Sequence, residues 1–232
     1  MALRVWALAA AALLAGTDGT REARERMVTG LQAYPEPYRV SDQRVLDALR
    51  RVPRERFVPR AQAPRAYADT PLPIGEGQTI SAPGIVAAMT QALSPSPSDL
   101  VLEVGTGSGY QAAVLSLLVR HVYSVEIVEV LGRRAAARLD SLGYKNVSVR
   151  VGDGYRGWPE AAPFDAVIVT CAPEDVPRPL VEQLKEGGRL VIPVGPDGGT
   201  QWLWVYRKTD RGLVRQALMP VRFVPMTGEA QH

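Results

Sequence analysis

The chain has 232 residues, 46% hydrophobic and 22% charged, which is ordinary globular usage and enough to bury a sizeable core in one domain. A net charge of +3 is too small to argue for nucleic acid, and the excess sits early: residues 1–65 hold 12 arginines against 7 acids, the balance of Arg-rich helices with solvated faces. One cysteine, Cys171, and two histidines, His121 and His232, exclude an intramolecular disulfide and a cysteine-built metal cluster.

The chain opens with MALRVWALAAAALLAG, whose apolar run from Val5 to Ala15 is too short to span a bilayer. It has the look of the apolar region of a secretory signal, yet no clean small-x-small cleavage site follows, and LLAG lacks the cysteine of a lipoprotein signal. Residues 1–25 are therefore set apart from the fold as a signal-like or extension segment. Next, SDQRVLDALRRVPRERFVP has Val45, Leu46 and Leu49 on one stripe, which predicts a helix capped by Ser41 and ended by Pro53.

Residues 75–84, GEGQTISAPG, place Gln78, Thr79 and Ser81 around Ile80 between glycines and a proline. A predicted helix from Pro83 to Leu93 follows at once. Such punctuation ordinarily starts a helix, and it also suits a loop that holds a ligand. Spacing alone leaves both readings open. SPSPSD is a linker, and beyond it the pattern changes.

VLEV, VYSVEI, VSVRVGD, DAVIVT and RLVIPVG are short β-branched apolar runs, with helical intervals at about 109–119, 129–142 and 176–185. Nearly all-apolar strands alternating with helices predict a mostly parallel sheet covered on both faces, a doubly wound α/β fold. TQWLWVYRKTD and GLVRQALMPVRFVPM close the chain as an antiparallel hairpin on the sheet edge. The expected organisation is N-terminal helices and a polar loop over residues 26–95, then the α/β core with its hairpin over 96–232, the two forming one domain.

Within VLEVGTGSGYQAAVLSLL a strand runs into a glycine turn, Gly105, Gly107 and Gly109, and then into a helix. Glycines there let a ligand approach the backbone at a helix N-terminus. Glu126 ends the next strand, where a carboxylate can accept both ribose hydroxyls of an adenosine-type ligand. Two ligand classes share this architecture. A dinucleotide ordinarily needs G-x-G-x-x-G, and here the third glycine comes one residue early. Glu103, two residues before Gly105, would repel a diphosphate and attract an ammonium. S-adenosylmethionine carries an ammonium, a sulfonium and a ribose but no phosphate. Asp153, in GDGYRGW after the third strand, can accept the adenine amino group. Three acids at successive strand ends favour S-adenosylmethionine as the methyl donor, without a metal.

Those stretches, with RVPRERFVP, AYADTPLPIGEGQTISAPGIVAAM and VRFVPMTG, resemble the protein-L-isoaspartate O-methyltransferase family from about Val40 to Gly228. The glycine turn and the strand acids are shared with many methyltransferases; GQTISAP and VPMTG are the specific motifs. The resemblance implies a class I S-adenosylmethionine-dependent methyltransferase, Rossmann-like. It makes Ser81 the active-site residue, with Gln78, Thr79 and Ile80 beside the donor. It adds Gly105, Thr106, Glu126, Ile127, Asp153, Gly154 and Thr227 as donor-binding positions. Gly84 and Val86 stand where some relatives carry histidine, so histidine is not required.

The implied activity is methyl esterification of the α-carboxylate of L-isoaspartyl residues in damaged proteins and peptides, with D-aspartyl acceptance left open. An S-adenosylmethionine-dependent enzyme acting on a small-molecule acid or a nucleic acid is the alternative. A donor-binding module without turnover is the non-enzymatic one. The cytosol is the expected compartment, with the periplasm if residues 1–25 are a signal. The expected form is a monomer, without nucleic acid or stable membrane association.

Overall fold

A computed structural model of the chain describes residues 18–231. The apolar run Val5–Ala15 lies outside them. The first helix of the described residues, α1 (Asp18–Ala33), begins within residues 1–25, which the sequence sets apart from the fold. Its buried stripe is Arg24, Met27, Val28 and Leu31, a helical spacing in which an arginine occupies an apolar position. That substitution hid the stripe. Arg24 is buried because its Nε donates to Tyr67 Oη at 2.8 Å and its Nη1 to the Arg50 carbonyl at 2.9 Å, with Glu55 beside it.

Helix α2 (Gln43–Arg51) buries Val45, Leu46, Ala48 and Leu49. Its cap is Asp42, which accepts from the Arg44 N–H at 2.9 Å, and not Ser41 as expected. The Ser41 hydroxyl points instead to Gln91 Oε1 at 3.5 Å, an oxygen that also accepts from the Ser41 and Asp42 N–H groups at 2.7 and 2.8 Å. Two short 3₁₀ turns, Arg54–Arg56 and Arg60–Arg65, follow.

The polar loop is a β-hairpin, β1 (Leu72–Gly75) and β2 (Gln78–Ile80), with Leu72 opposite Ile80. Its two-residue turn puts Glu76 at φ 54° and Gly77 at φ 70°. Positive φ at both central positions is the turn whose twist matches a hairpin, and glycine supplies one of them without strain. Helix α3 (Pro83–Leu93) starts directly behind it.

A seven-stranded sheet forms the centre, in the order β5-β4-β3-β6-β7-β8-β9. The parallel members are β3 (Leu100–Val104), β4 (His121–Glu126), β5 (Val147–Val151), β6 (Phe164–Val169) and β7 (Leu184–Val194). Strands β8 (Gln201–Thr209) and β9 (Gly212–Val221) add the antiparallel hairpin at the edge. The connecting helices are α4 (Tyr110–Ser116), α5 (Glu129–Ser141) and α6 (Arg178–Glu182). Helices α4 and α6 are shorter than predicted. Strand β7 is longer than RLVIPVG, because Lys185-Glu186-Gly187-Gly188 sits in a register irregularity of the strand.

Strand alternation sends successive side chains to two cores. Val101, Val122, Ile168 and Val191 pack with residues of helices α1 to α5, and Leu102, Val125, Val167 and Leu190 with α6 and the C-terminal segment. The strand order reverses between β3, with β4 on one side, and β6 on the other. In open α/β sheets ligands bind outside the carboxyl ends at such a point.

Candidate active site

The carboxyl end of β3 turns at Gly105, whose φ is 95°. A Cβ there would lie 2.4 Å from Thr170 Oγ1, so the turn is closed to any larger residue. Thr170 stands just past β6 and donates to the Gly105 carbonyl at 2.7 Å. At the neighbouring strand end, Glu126 Oε2 accepts from the Gly107 N–H at 2.7 Å and Oε1 from the Val128 N–H at 2.9 Å. One carboxylate thereby clamps the glycine turn to the start of the next helix. Each of its oxygens retains a further lone pair for a ligand.

Around these groups lies a cleft of about 610 Å³, counting the open solvent at its mouth. Hairpin β1–β2 supplies Gln78 and Thr79, the strand ends supply Gly105, Gly107, Glu126, Ile127 and Gly154, and the C-terminal segment supplies Thr227. That segment reaches the cleft because it exchanges backbone hydrogen bonds with Ala172: the Ala172 N–H donates to the Val224 carbonyl and the Met226 N–H to the Ala172 carbonyl, both at 2.8 Å. A second chamber shares Thr79, Gly105, Gly107 and Thr170, and adds Ile80, Ser81, Thr106, Ser108, Tyr110 and Gln111. The two chambers form one site with two ends.

Ser81 does not cap the helix that follows it. The residue capping α3 is Ala82, without a side-chain cap bond, and the Gly84 N–H near the helix start is taken by Asp69 Oδ1 at 2.7 Å. The Ser81 hydroxyl makes no hydrogen bond among the described residues, and the residue lines the chamber.

Three expected positions lie outside both chambers: Glu103, Gly109 and Asp153. Gly109 starts α4 at φ 87°, and a Cβ there would crowd Leu139 at 3.3 Å, so its glycine serves helix packing. Asp153 caps a 3₁₀ turn, Oδ1 accepting from the Tyr155 N–H and Oδ2 from the Glu229 N–H, both at 2.9 Å. It holds the C-terminal segment in place, while its neighbour Gly154 faces the cleft. Glu103 is fully buried beside its register partner Ser124, which donates to it and accepts in turn from Thr106. Burial pushes the Glu103 carboxyl up to about 8; the Ser124 hydrogen bond opposes the rise and the Glu126 charge adds to it. It is therefore largely protonated at neutral pH and does not present the free negative charge that its position in the sequence suggested.

Sequence reasoning missed Thr170, Val104, Val128, Cys171 and Met226 on the cleft wall. Thr170 carries a signal that could have found it, a hydroxyl one residue past an all-apolar parallel strand.

The charged side chain on the cleft wall is the acid Glu126; no Lys or Arg lines it. A diphosphate would meet a carboxylate there and no cation. S-adenosylmethionine fits, having two ribose hydroxyls for the Glu126 lone pairs and a positive rather than a negative charge. Among the described residues no group of three or more His, Cys, Asp or Glu is placed to hold a metal, and no helix is long and apolar enough to cross a membrane.

A family model for protein-L-isoaspartate(D-aspartate) O-methyltransferase matches residues 23–231. The chain belongs to that family. A protein-L-isoaspartate O-methyltransferase of Opitutus terrae is 60% identical over 190 residues, covering 82% of both chains. One of Gloeobacter violaceus is 54% identical over 193 residues, 83% of this chain and 94% of that one. A solved protein-L-isoaspartate O-methyltransferase superposes with a TM-score of 0.79 at 32% identity, over 89% of this chain and 67% of the other. A Plasmodium falciparum structure bound to S-adenosyl-L-homocysteine shares the fold, with a TM-score of 0.76 at 24% identity over 88% of this chain and 98% of that one. The family match and the two-ended cleft agree on a class I, Rossmann-like methyltransferase.

Proposed function

We infer that this chain is a repair enzyme that methyl-esterifies the α-carboxylate of L-isoaspartyl residues in damaged proteins and peptides, using S-adenosylmethionine, with Ser81 orienting the acceptor. The observation that carries the assignment of Ser81 is its uncommitted hydroxyl in the second chamber, released from helix capping by Asp69. S-adenosylmethionine supplies a methyl group on a sulfonium, already an activated leaving centre. Glu126 holds the ribose end, and Gln78, Thr79, Ile127, Gly154 and Thr227 enclose the donor with the glycine turn.

The acceptor is ionised at neutral pH, a free carboxyl having a pKa near 4, so the site needs no general base. His121 is far from that role. It begins β4, at the end opposite Glu126, and hydrogen-bonds Ser148. What the chain must supply is orientation, which can lower a barrier by several kcal/mol. Ser81 has one proton to donate to one carboxylate oxygen, leaving the other free to be aimed at the methyl group. Transfer breaks the sulfur–methyl bond and releases S-adenosylhomocysteine; the backbone amide nitrogen then attacks the ester carbonyl, methanol leaves with the amide proton, and water opens the resulting succinimide, in part to a normal peptide bond. We place the enzyme in the cytosol, acting as a monomer; cell fractionation and gel filtration check both.

The test is radiolabelled methyl transfer to an isoaspartyl peptide beside its normal aspartyl twin. The isoaspartyl peptide alone should be labelled, and Ser81→Ala should lower turnover by roughly 10- to 150-fold, as loss of a hydrogen bond to a charged group worth about 1.5–3 kcal/mol requires. Donor affinity should be retained. Equal labelling of both peptides sinks the substrate assignment, and wild-type turnover in Ser81→Ala sinks the residue's.

A further inference from the structure

Arg54 is completely buried and makes no ion pair among the described residues. A buried charge ordinarily needs a partner. What the guanidinium has instead is a set of backbone contacts. Its Nε donates to the Ala66 carbonyl and its Nη2 to the Ser81 carbonyl, both at 2.7 Å, while its Cζ lies 4.8 Å from the Tyr110 ring centroid.

Those contacts are not scattered. Ala66 lies six residues before hairpin β1–β2 and Ser81 is the first residue after it, so one planar group ties the segment leading into the hairpin to the residue that leaves it, and the hairpin carries Gln78 and Thr79 into the cleft. Tyr110 opens α4 directly behind the glycine turn and lines the same chamber as Ser81. The fork of a guanidinium can hold two carbonyls at fixed separation while stacking on a ring; an ammonium is a point charge on a flexible stem and can do neither.

We propose that Arg54 is a positioning residue for methyl transfer: it fixes the backbone of Ser81, and with it the Ser81 hydroxyl, against the glycine turn. The proposal rests on the reading of Ser81 as the group that orients the acceptor carboxylate. Arg54 lines neither chamber and acts through Ser81.

A double-mutant cycle tests this. Arg54→Lys, Ser81→Ala and the double variant are compared by kcat and KM on an isoaspartyl peptide, by calorimetric binding of S-adenosylhomocysteine, and by thermal melting. Arg54→Lys should lower kcat about tenfold or more while donor affinity stays within about threefold. In the Ser81→Ala background the same substitution should cost less than about twofold, because the group it positions is gone. If Arg54→Lys does not fold, Tyr110→Leu takes its place in the cycle, leaving the guanidinium but removing the face on which it stacks. Additive losses, or a fall in donor affinity as large as the fall in kcat, overturn the proposal. Ser81→Ala with wild-type kcat removes its foundation, whereas a slow Ser81→Ala with additive losses overturns Arg54 alone and leaves Ser81 standing.

Discussion

Glu126→Gln tests the proposed contact of this side chain with the donor ribose apart from its structural role. The carboxylate already accepts two backbone N–H groups, from Gly107 at 2.7 Å and Val128 at 2.9 Å. An amide of the same shape keeps one acceptor oxygen and turns an NH₂ toward the other N–H. One ribose hydroxyl then loses its acceptor, and one backbone donor at the glycine turn loses its partner. A hydrogen bond to a charged group contributes about 1.5–3 kcal/mol, which corresponds to roughly 10- to 150-fold in donor affinity. The unpaired N–H costs a further ~1–3 kcal/mol of folding stability. The variant should therefore melt earlier and bind S-adenosylhomocysteine 10- to 150-fold more weakly, while kcat at saturating donor changes little. Titration calorimetry on protein checked by circular dichroism reads both effects. An unchanged dissociation constant in a folded Glu126→Gln protein refutes the ribose assignment.

Glu103 gives stability a pH dependence of its own. Its carboxyl stands at about 8 in the fold against an ordinary 4.5, so the folded state keeps the proton more strongly. Stability from this group is full below about pH 4.5 and is lost as pH rises toward 8, at up to about 1.4 kcal/mol per unit. Glu103→Gln should flatten that slope and be the more stable protein at pH 8–9; equal slopes in urea unfolding across pH 5–8 would remove the argument. Gly105→Ala places a Cβ 2.4 Å from Thr170 Oγ1 at φ 95°, so it should lower the melting temperature and abolish donor binding. Adding Thr170→Ala should return part of the stability but leave the dihedral strain, about 1–3 kcal/mol, in place. Full recovery in the double variant would show that strain at Gly105 is negligible.

Local pattern was enough to place the sheet, the turn and the hairpin. Five β-branched runs, each followed by helix or loop, leave few arrangements besides a parallel sheet covered on both faces, because a strand apolar on both sides must be buried on both. GTGSG between a strand and a helix marks the ligand end for a similarly local reason. Chain-distant partners were not legible in the same way. Arg24 reads as a solvated charge until Tyr67, Glu55 and the Arg50 carbonyl fold around it. Ser41 reads as the cap until Gln91, from a helix fifty residues on, draws in the Ser41 and Asp42 N–H groups and Asp42 takes the Arg44 N–H.

The three strand-end acids show the division most sharply. By itself the sequence determined that Glu103, Glu126 and Asp153 stand at the carboxyl ends of consecutive parallel strands, beside a glycine turn. Only the tertiary structure decided which of them lines the cleft. Glu126 reaches the Gly107 and Val128 N–H groups and lines the cleft, Glu103 is sealed behind Ser124, and Asp153 is spent on the Tyr155 and Glu229 N–H groups. The same holds for Ser81, left without a capping bond because a carboxylate from a distant loop takes the Gly84 N–H at the helix start. The physical reason is that strand position follows from local periodicity, whereas the use of a polar group depends on which donors and acceptors the whole chain brings within about 3 Å of it.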